Sequence, residues 1–389
     1  MNPPPAPLRG LRVLDLSRLL PGPFCTLILS DLGASVDKLE DPHVGDYVRI
    51  FPPTQKGLSG RFIALNRDKR SLCLDLKRPE GRAAFLRLLP RYDVLVESFR
   101  PGVLDRLGLG YAALSAVHPR LVLCSISGYG QNGPYRDRAG HDLNYIALAG
   151  VLGLTGPADG APVMPGVQIA DIAGGGLWGA VGILAALYEA QRTGQGRQVD
   201  VSMCEGALSL LLPDLGNYDV SGAPPRRSSE MLNGALACYA VYRTRDGRYL
   251  SVGALEPKFW LAFNAAIGRS ADPAELVGGP EVQERVRGEV QGILETRTRD
   301  EWEAHFAAPG LDVCVEPVLD VEELARHPQH AARGLFFKVG EFGQVRTPLG
   351  SAEGHRPPPQ LGEHSAEILG EAGLGEEEYA ALKASGVTR

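Results

Sequence analysis

The turn after the first apolar run, Ser17-Arg18-Leu19-Leu20-Pro21-Gly22-Pro23, has no GxGxxG, and the chain of 389 residues has no GxxxxGK[ST] anywhere. The glycine loops that cradle the phosphates of NAD, FAD and ATP are therefore not supported. Metal-ligand spacing is lacking too. The six cysteines, Cys25, Cys73, Cys124, Cys204, Cys238 and Cys314, form no CxxC pair and have no histidine at ligand spacing. They read as buried, reduced thiols of an intracellular protein, and no metal is expected. The most apolar run, Gly174 to Tyr188, is short and glycine-rich, so it reads as a buried core helix rather than a membrane span. Met1-Asn2-Pro3-Pro4-Pro5-Ala6-Pro7 lacks the charged and apolar regions of a signal peptide, so a cytoplasmic location without a membrane partner is expected. A net charge of −6 argues against nucleic acid as a partner, while leaving room for local basic patches.

What is present is the composition of an ordinary globular enzyme, 44% hydrophobic and 22% charged. The length exceeds one compact core, so two domains are expected. From Leu11 to Gly130 short apolar runs alternate with helical patterns. Leu11–Leu16, Ala34–Leu39, Ser71–Leu76, Tyr92–Phe99 and Leu121–Ser127 read as strands; Pro23–Leu32 and Pro79–Leu89 read as helices. Such β-then-α alternation implies a parallel sheet covered on both faces, a Rossmann-like α/β fold. A long helix near Leu177–Gln191, a strand at Gln198–Val201 and an apolar helix over Glu205–Leu212 extend it. The polar, proline-bearing stretch Ser221 to Ser229 is a linker. Beyond it, an alternating hairpin (Cys238–Tyr242 and Tyr249–Val252) and further helices make a smaller α+β unit. The expected division is a large domain over residues 1–220, a small domain over 233–329, and a tail, 330–389.

Three stretches each set one titratable side chain among small or apolar neighbours: Gly140-His141-Asp142-Leu143-Asn144-Tyr145, Asp171-Ile172-Ala173-Gly174-Gly175-Gly176, and Val252-Gly253-Ala254-Leu255-Glu256-Pro257. Partial desolvation would move such groups toward the working pH. Each has a plainer reading. His141 alone is a cap or a satisfied core residue, Asp142 a helix cap, Asp171 an N-cap, and Glu256 a solvated turn carboxylate. Together around one cleft, a His, an Asp and a Glu form an acid/base set suited to moving a proton at carbon. The cations Arg67, Arg70, Lys77 and Arg100 lie at the ends of extended segments, where a surface charge is the default.

The three stretches resemble those of the α-methylacyl-CoA racemases, a branch of the family III CoA-transferases (CaiB/BaiF type), and the resemblance runs from Leu11 to about Val387. It implies a tail that returns to the large domain, an interlocked homodimer, and an acyl-CoA substrate whose coenzyme A is part of the substrate, with no further cofactor. His141, supported by Glu256, and Asp171 become the two bases of a 1,1-proton transfer at C2 of a 2-methylacyl thioester. A histidine at 141 favours this reading, since transferase relatives do not usually keep one there. The rival is CoA transfer between carboxylic acids with Asp171 as nucleophile; a degenerate acyl-CoA-binding protein is the non-enzymatic alternative. The resemblance also implies Arg100 and Lys77 as phosphate contacts with Leu74 along the CoA groove, and Arg67 and Arg70 as weaker ones. Asp41 stands where many relatives carry a basic residue. Leu208, Leu210, Leu211 and Leu212 replace the methionines with which some racemases line the acyl tail.

Overall fold

The computed structural model describes residues 6–389. Six strands form one parallel sheet: β1 (Arg12–Asp15), β2 (Ser35–Glu40), β3 (Arg70–Cys73), β4 (Val94–Glu97), β5 (Val122–Ser127) and β6 (Gln198–Ser202), in the order β3-β2-β1-β4-β5-β6. This mixed α/β architecture is the fold class expected from the alternation. Every residue of β4 and β5 is buried, because helices cover both faces and leave no solvent side for polar alternation. Helix α1 (Pro21–Asp31) carries β1 across to β2, with proline at its first turn.

The strand order reverses at β1 and β4. In such doubly wound sheets the crevice beyond the carboxyl ends of the strands at the reversal is where ligands bind. Order cannot be read from spacing along the chain, so this placement is new information.

The glycine run lies inside a continuous helical segment. Ile169–Leu177 is a π-helix that passes directly into α3 (Trp178–Thr193), after α2 (Asp142–Leu148) and before α4 (Met203–Ser209). The 25 residues from Ile169 to Thr193 are long and apolar enough, by length and composition, to cross a membrane, so the expectation of a run too short for that is corrected. The inner side of this segment packs on α1, α4, β5 and β6. Glycine is required at its crossing with α4: a β-carbon at Gly174 would lie 2.5 Å from the Met203 carbonyl oxygen, and one at Gly206 would lie 2.2 Å from that of Gly174. The glycines thus permit helix-to-helix approach rather than ligand approach.

The chain divides into two compact units. One runs up to Ala149 and takes in Gly166–Leu211 and Pro328–Arg389; the other comprises Gly150–Pro165 and Leu212–His327. The excursion over 150–165 was not legible in the sequence, nor was the helix Leu212–Ser221, which occupies residues read as the approach to a linker. In the first unit the tail packs Ile368, Leu369, Leu374, Leu382 and Val387 into the core under the sheet. The tail also contributes a hairpin, Phe336–Val339 with Phe342–Val345, that the sequence reading did not anticipate. The second unit has an antiparallel sheet of β7 (Tyr239–Arg243), β8 (Tyr249–Gly253) and β9 (Val315–Pro317), with β8 central. Trp260, Phe263, Trp302 and Phe306, from helices Pro257–Ala266 and Arg299–Phe306, fill its core.

Candidate active site

Asp15, at the end of β1, is fully buried and receives hydrogen bonds from the Ser17 backbone (2.9 Å), the Thr26 hydroxyl (2.7 Å) and the Lys69 ammonium (3.2 Å). Lys38, equally buried, donates to the Ser17 carbonyl at 2.7 Å and pairs with Asp46 at 3.1 Å. Asp46 in turn accepts the Leu19 N–H at 3.1 Å. Leu19 has φ +64°, an uncommon conformation for a leucine, and this buried charge network is what holds it there. The result is a fixed turn that presents Arg18. Its guanidinium donates to the Tyr47 hydroxyl at 2.7 Å and lies over the Tyr47 and Phe99 rings, 5.1 and 5.4 Å from their centroids.

The loop after β4 meets that turn, with the Arg18 N–H bound to Ser98 Oγ at 3.1 Å. Glu97, buried at the strand end, accepts the Phe99 N–H at 2.7 Å and so shapes the loop that carries Arg100. Burial pushes the Glu97 carboxyl up to about 7. The loop after β5 brings in Gly128, which leaves room for the Tyr145 ring: a β-carbon there would sit 2.5 Å from it. Gly140 makes the same allowance at 2.7 Å, and the Tyr145 hydroxyl donates to the Gly140 carbonyl. The motif around His141 is therefore built on a buried tyrosine flanked by two glycines.

These loops enclose a cavity of about 680 Å³ beyond the carboxyl ends of β1, β4 and β5, at the reversal of strand order. His141, Asp171 and Arg100 all line it, joined by Arg18, Arg136, Arg138, Asn144 and Tyr145. His141 is the N-cap residue of α2, and its own N–H is bound by Asn144 Oδ1 at 3.0 Å. Asp142 does not cap this helix; its Oδ1 accepts the Asp171 N–H at 2.9 Å. Asp171 is no N-cap either, since it lies in the first turn of the π-helix. Burial first, and the charge of Asp142 second, raise its carboxyl from 3.8 to about 7. Of the four arginines only Arg136 has a carboxylate partner, Asp137 at 3.7 Å, among the described residues. Like charges gathered with so little compensation form an anion site.

Leu74 and Lys77 line a smaller neighbouring cavity of about 160 Å³ together with Asp41 and Phe99, and Arg18 borders both cavities. Lys77 is largely exposed and stands 4.0 Å from Asp41, while Asp41 accepts the N–H groups of His43 and Val44. Arg67 and Arg70 are elsewhere, which corrects their reading as phosphate contacts. Arg67 is fully buried and clasps Asp31 at 2.6 and 2.7 Å. Arg70 is bound by Asp37 at 2.7 Å, Glu367 at 2.7 Å and Glu371 at 2.5 Å. Both tie structural elements together and have no charge to spare for a ligand. Leu208 and Leu210 are exposed and do not line the cavity. Glu256 belongs to the second unit, where it is the exposed N-cap residue of the helix Pro257–Ala266 and its side chain makes no capping bond. A larger cleft, about 790 Å³ between α1 and the 336–345 hairpin, is lined by no histidine or carboxylate and so carries no acid–base pair.

Comparison with known proteins identifies the family. The model of CoA-transferase family III matches residues 8–365. The chain belongs to that family. As a family III CoA-transferase chain it is 37% identical over 379 residues to a human protein named alpha-methylacyl-CoA racemase, covering 95% of this chain and 94% of the other. It is 35% identical over 385 residues to the succinate–glutarate CoA-transferase of Agrobacterium fabrum, covering 94% and 95%. A CaiB/BaiF family protein from Brucella suis has the same fold, with a TM-score of 0.82 and 32% identity over 95% of this chain and 100% of that one. Racemase and transferase names thus occur at similar identity within one family.

What the sequence missed in this family III chain is chiefly Arg18, Arg136 and Arg138. Arg18 stood in the first strand-to-helix turn, the place where a doubly wound sheet puts ligand-binding groups. Without a GxGxxG pattern to mark the turn, nothing in the sequence drew attention to it.

Proposed function

We propose that the protein epimerises C2 of 2-methyl-branched acyl-CoA thioesters by proton transfer between two side chains. The observation that carries this reading is that His141 and Asp171, an imidazole and a carboxyl whose pKa burial raises to about 7, line one arginine-rich cavity. A carboxyl poised there both accepts and returns a proton at neutral pH, and an imidazole is a second side chain able to carry one. One base removes the C2 proton, the C–H pair passes into a planar enolate thioester, and the other base delivers a proton to the opposite face. The bond formed and the bond broken are both C–H, so no electrons leave the substrate.

Arg18, Arg100, Arg136 and Arg138 supply the positive field for the phosphates of coenzyme A and for the developing enolate. The proposal keeps Glu256 as the carboxylate that supports the imidazolium, and Lys77 and Leu74 as contacts for the nucleotide end. It also includes a homodimer in the cytoplasm: Trp178, Val181 and Tyr188 leave an exposed apolar stripe along α3 that a second copy would cover.

Transfer of CoA between carboxylic acids is the second reading, favoured by the half-buried Asp171 carboxylate and by relatives named as transferases. The deciding experiment incubates one epimer of a 2-methylacyl-CoA with the protein in D2O and no acceptor acid. Epimerisation with deuterium uptake at C2 is expected, and His141→Ala should abolish the epimerisation. Turnover only after an acceptor carboxylate is added would replace the racemase reading with the transferase one.

A further inference from the structure

The two proposed proton carriers sit on different helices, and one side chain joins them. Asp142 is the first residue of α2, next to His141, and its Oδ1 accepts the backbone N–H of Asp171 at 2.9 Å across 29 positions of sequence. That N–H needs an outside partner. Asp171 is the third residue of the π-helix, where opening N–H groups find no acceptor inside the helix, and Gln168 at the N-cap makes no side-chain cap bond. A carboxylate at this end is also favoured by the helix dipole.

Helix α2 has no claim on the same carboxylate. Asn144 Oδ1 accepts the His141 N–H, and the N–H groups of Asn144 and Tyr145 reach the His141 carbonyl at 2.8 and 3.2 Å. The end of α2 is therefore closed by Asn144 and the backbone, which frees Asp142 to serve its neighbour.

We propose that Asp142 is a positioning residue of this site: it caps the Asp171 helix from α2 and so holds the His141 and Asp171 side chains in fixed relation. The proposal rests on the acid/base reading of those two residues. Holding them matters because a displacement of about 1 Å in a reacting group costs on the order of 100-fold in rate. The charge of Asp142 also adds to burial in raising the Asp171 carboxyl. The other charged or titratable groups around Asp171 are Tyr145 from α2 and His141, Arg18, Arg100, Arg136 and Arg138 on the shared cavity.

Two variants separate tie from charge. Asp142→Asn keeps an acceptor oxygen for the Asp171 N–H and removes the charge; Asp142→Ala removes both. Deuterium exchange into a 2-methylacyl-CoA gives kcat and KM, thermal melting reports folding, and the titration of Asp171 is followed by 13C NMR of labelled aspartate, assigned with Asp171→Asn. The alanine variant is expected to lose about 100-fold in kcat with KM changed by less than about 3-fold, and asparagine to restore most of that loss. In Asp142→Asn the Asp171 midpoint should fall below its wild-type value. Full kcat in the alanine variant, equal damage in both variants, or an unmoved Asp171 midpoint in Asp142→Asn would overturn the proposal. Should wild-type protein exchange no deuterium, the racemase reading fails, while a fall in Tm in Asp142→Ala that Asp142→Asn does not share still decides whether the tie exists.

Discussion

Replacing Asp171 by asparagine should make the protein more stable, and only above a definite pH. The Asp171 carboxyl is half-buried, sits near the charge of Asp142, and is given no hydrogen bond by any described residue, so its ionised form is disfavoured in the fold. Its pKa is about 7 against an ordinary 3.8. A carboxyl raised in this way stabilises the folded chain below the unfolded value, where both states hold the proton. Between roughly pH 4 and 7 the folded chain keeps a proton that the unfolded chain has released, and stability falls as pH rises. The full difference corresponds to about 4 kcal/mol, and the open mouth of the cavity reduces it to about 2 kcal/mol. Asparagine has nearly the same shape and does not ionise. Urea unfolding of wild type and Asp171→Asn, without substrate, should therefore show equal stability at pH 4 and a variant about 2 kcal/mol more stable at pH 8.5. A difference independent of pH, or a variant less stable at pH 8.5, would refute the account of Asp171 as a strained carboxyl, and with it the idea that this group is poised to exchange protons near neutrality.

Arg100→Ala should raise KM for an acyl-CoA by about 10-fold or more with kcat little changed, because a phosphate contact acts on binding in ground and transition states alike. Arg67→Ala should instead leave Asp31 buried without its partner and cost about 3–5 kcal/mol in thermal unfolding, with no separate effect on KM in whatever protein remains folded. Gly206→Ala would drive a methyl group to 2.2 Å from the Gly174 carbonyl oxygen. The helices must then move apart, at a cost of about 1–3 kcal/mol or more, read as a fall in Tm. A wild-type Tm for that variant would mean the crossing of the π-helix and α4 is looser than described.

The sheet was legible because its strands are buried on both faces and so appear as short apolar runs, as in Val94-Leu95-Val96 and Leu121 to Cys124. Its boundaries were blurred where the burial is charged. The second strand, read as Ala34–Leu39, runs over Ser35–Glu40, and its last residue, Glu40, is held in the interior by its pair with Arg49 as Lys38 is by Asp46. The same cause misdirected the cationic residues. Arg67 and Arg100 are both arginines beside extended segments, and sequence has no means of telling that one faces a buried aspartate 36 residues away while the other faces a cavity. The partner decides the role, and partners are set by strand order. Arg18 shows the reverse error: a residue without a motif gains its place because β1 and β4 are neighbours and their turns meet.

Asp142 carries the point furthest. Beside His141 at a helix start, it had the sequence signature of a local cap, yet Asn144 already closes that end and leaves the carboxylate to a helix 29 residues on. A local rule failed there because the neighbouring helix lacked a cap of its own. Motif reading gathered His141 and Asp171 by resemblance; the hydrogen bond from the Asp171 N–H to Asp142 is a physical reason for them to stay together.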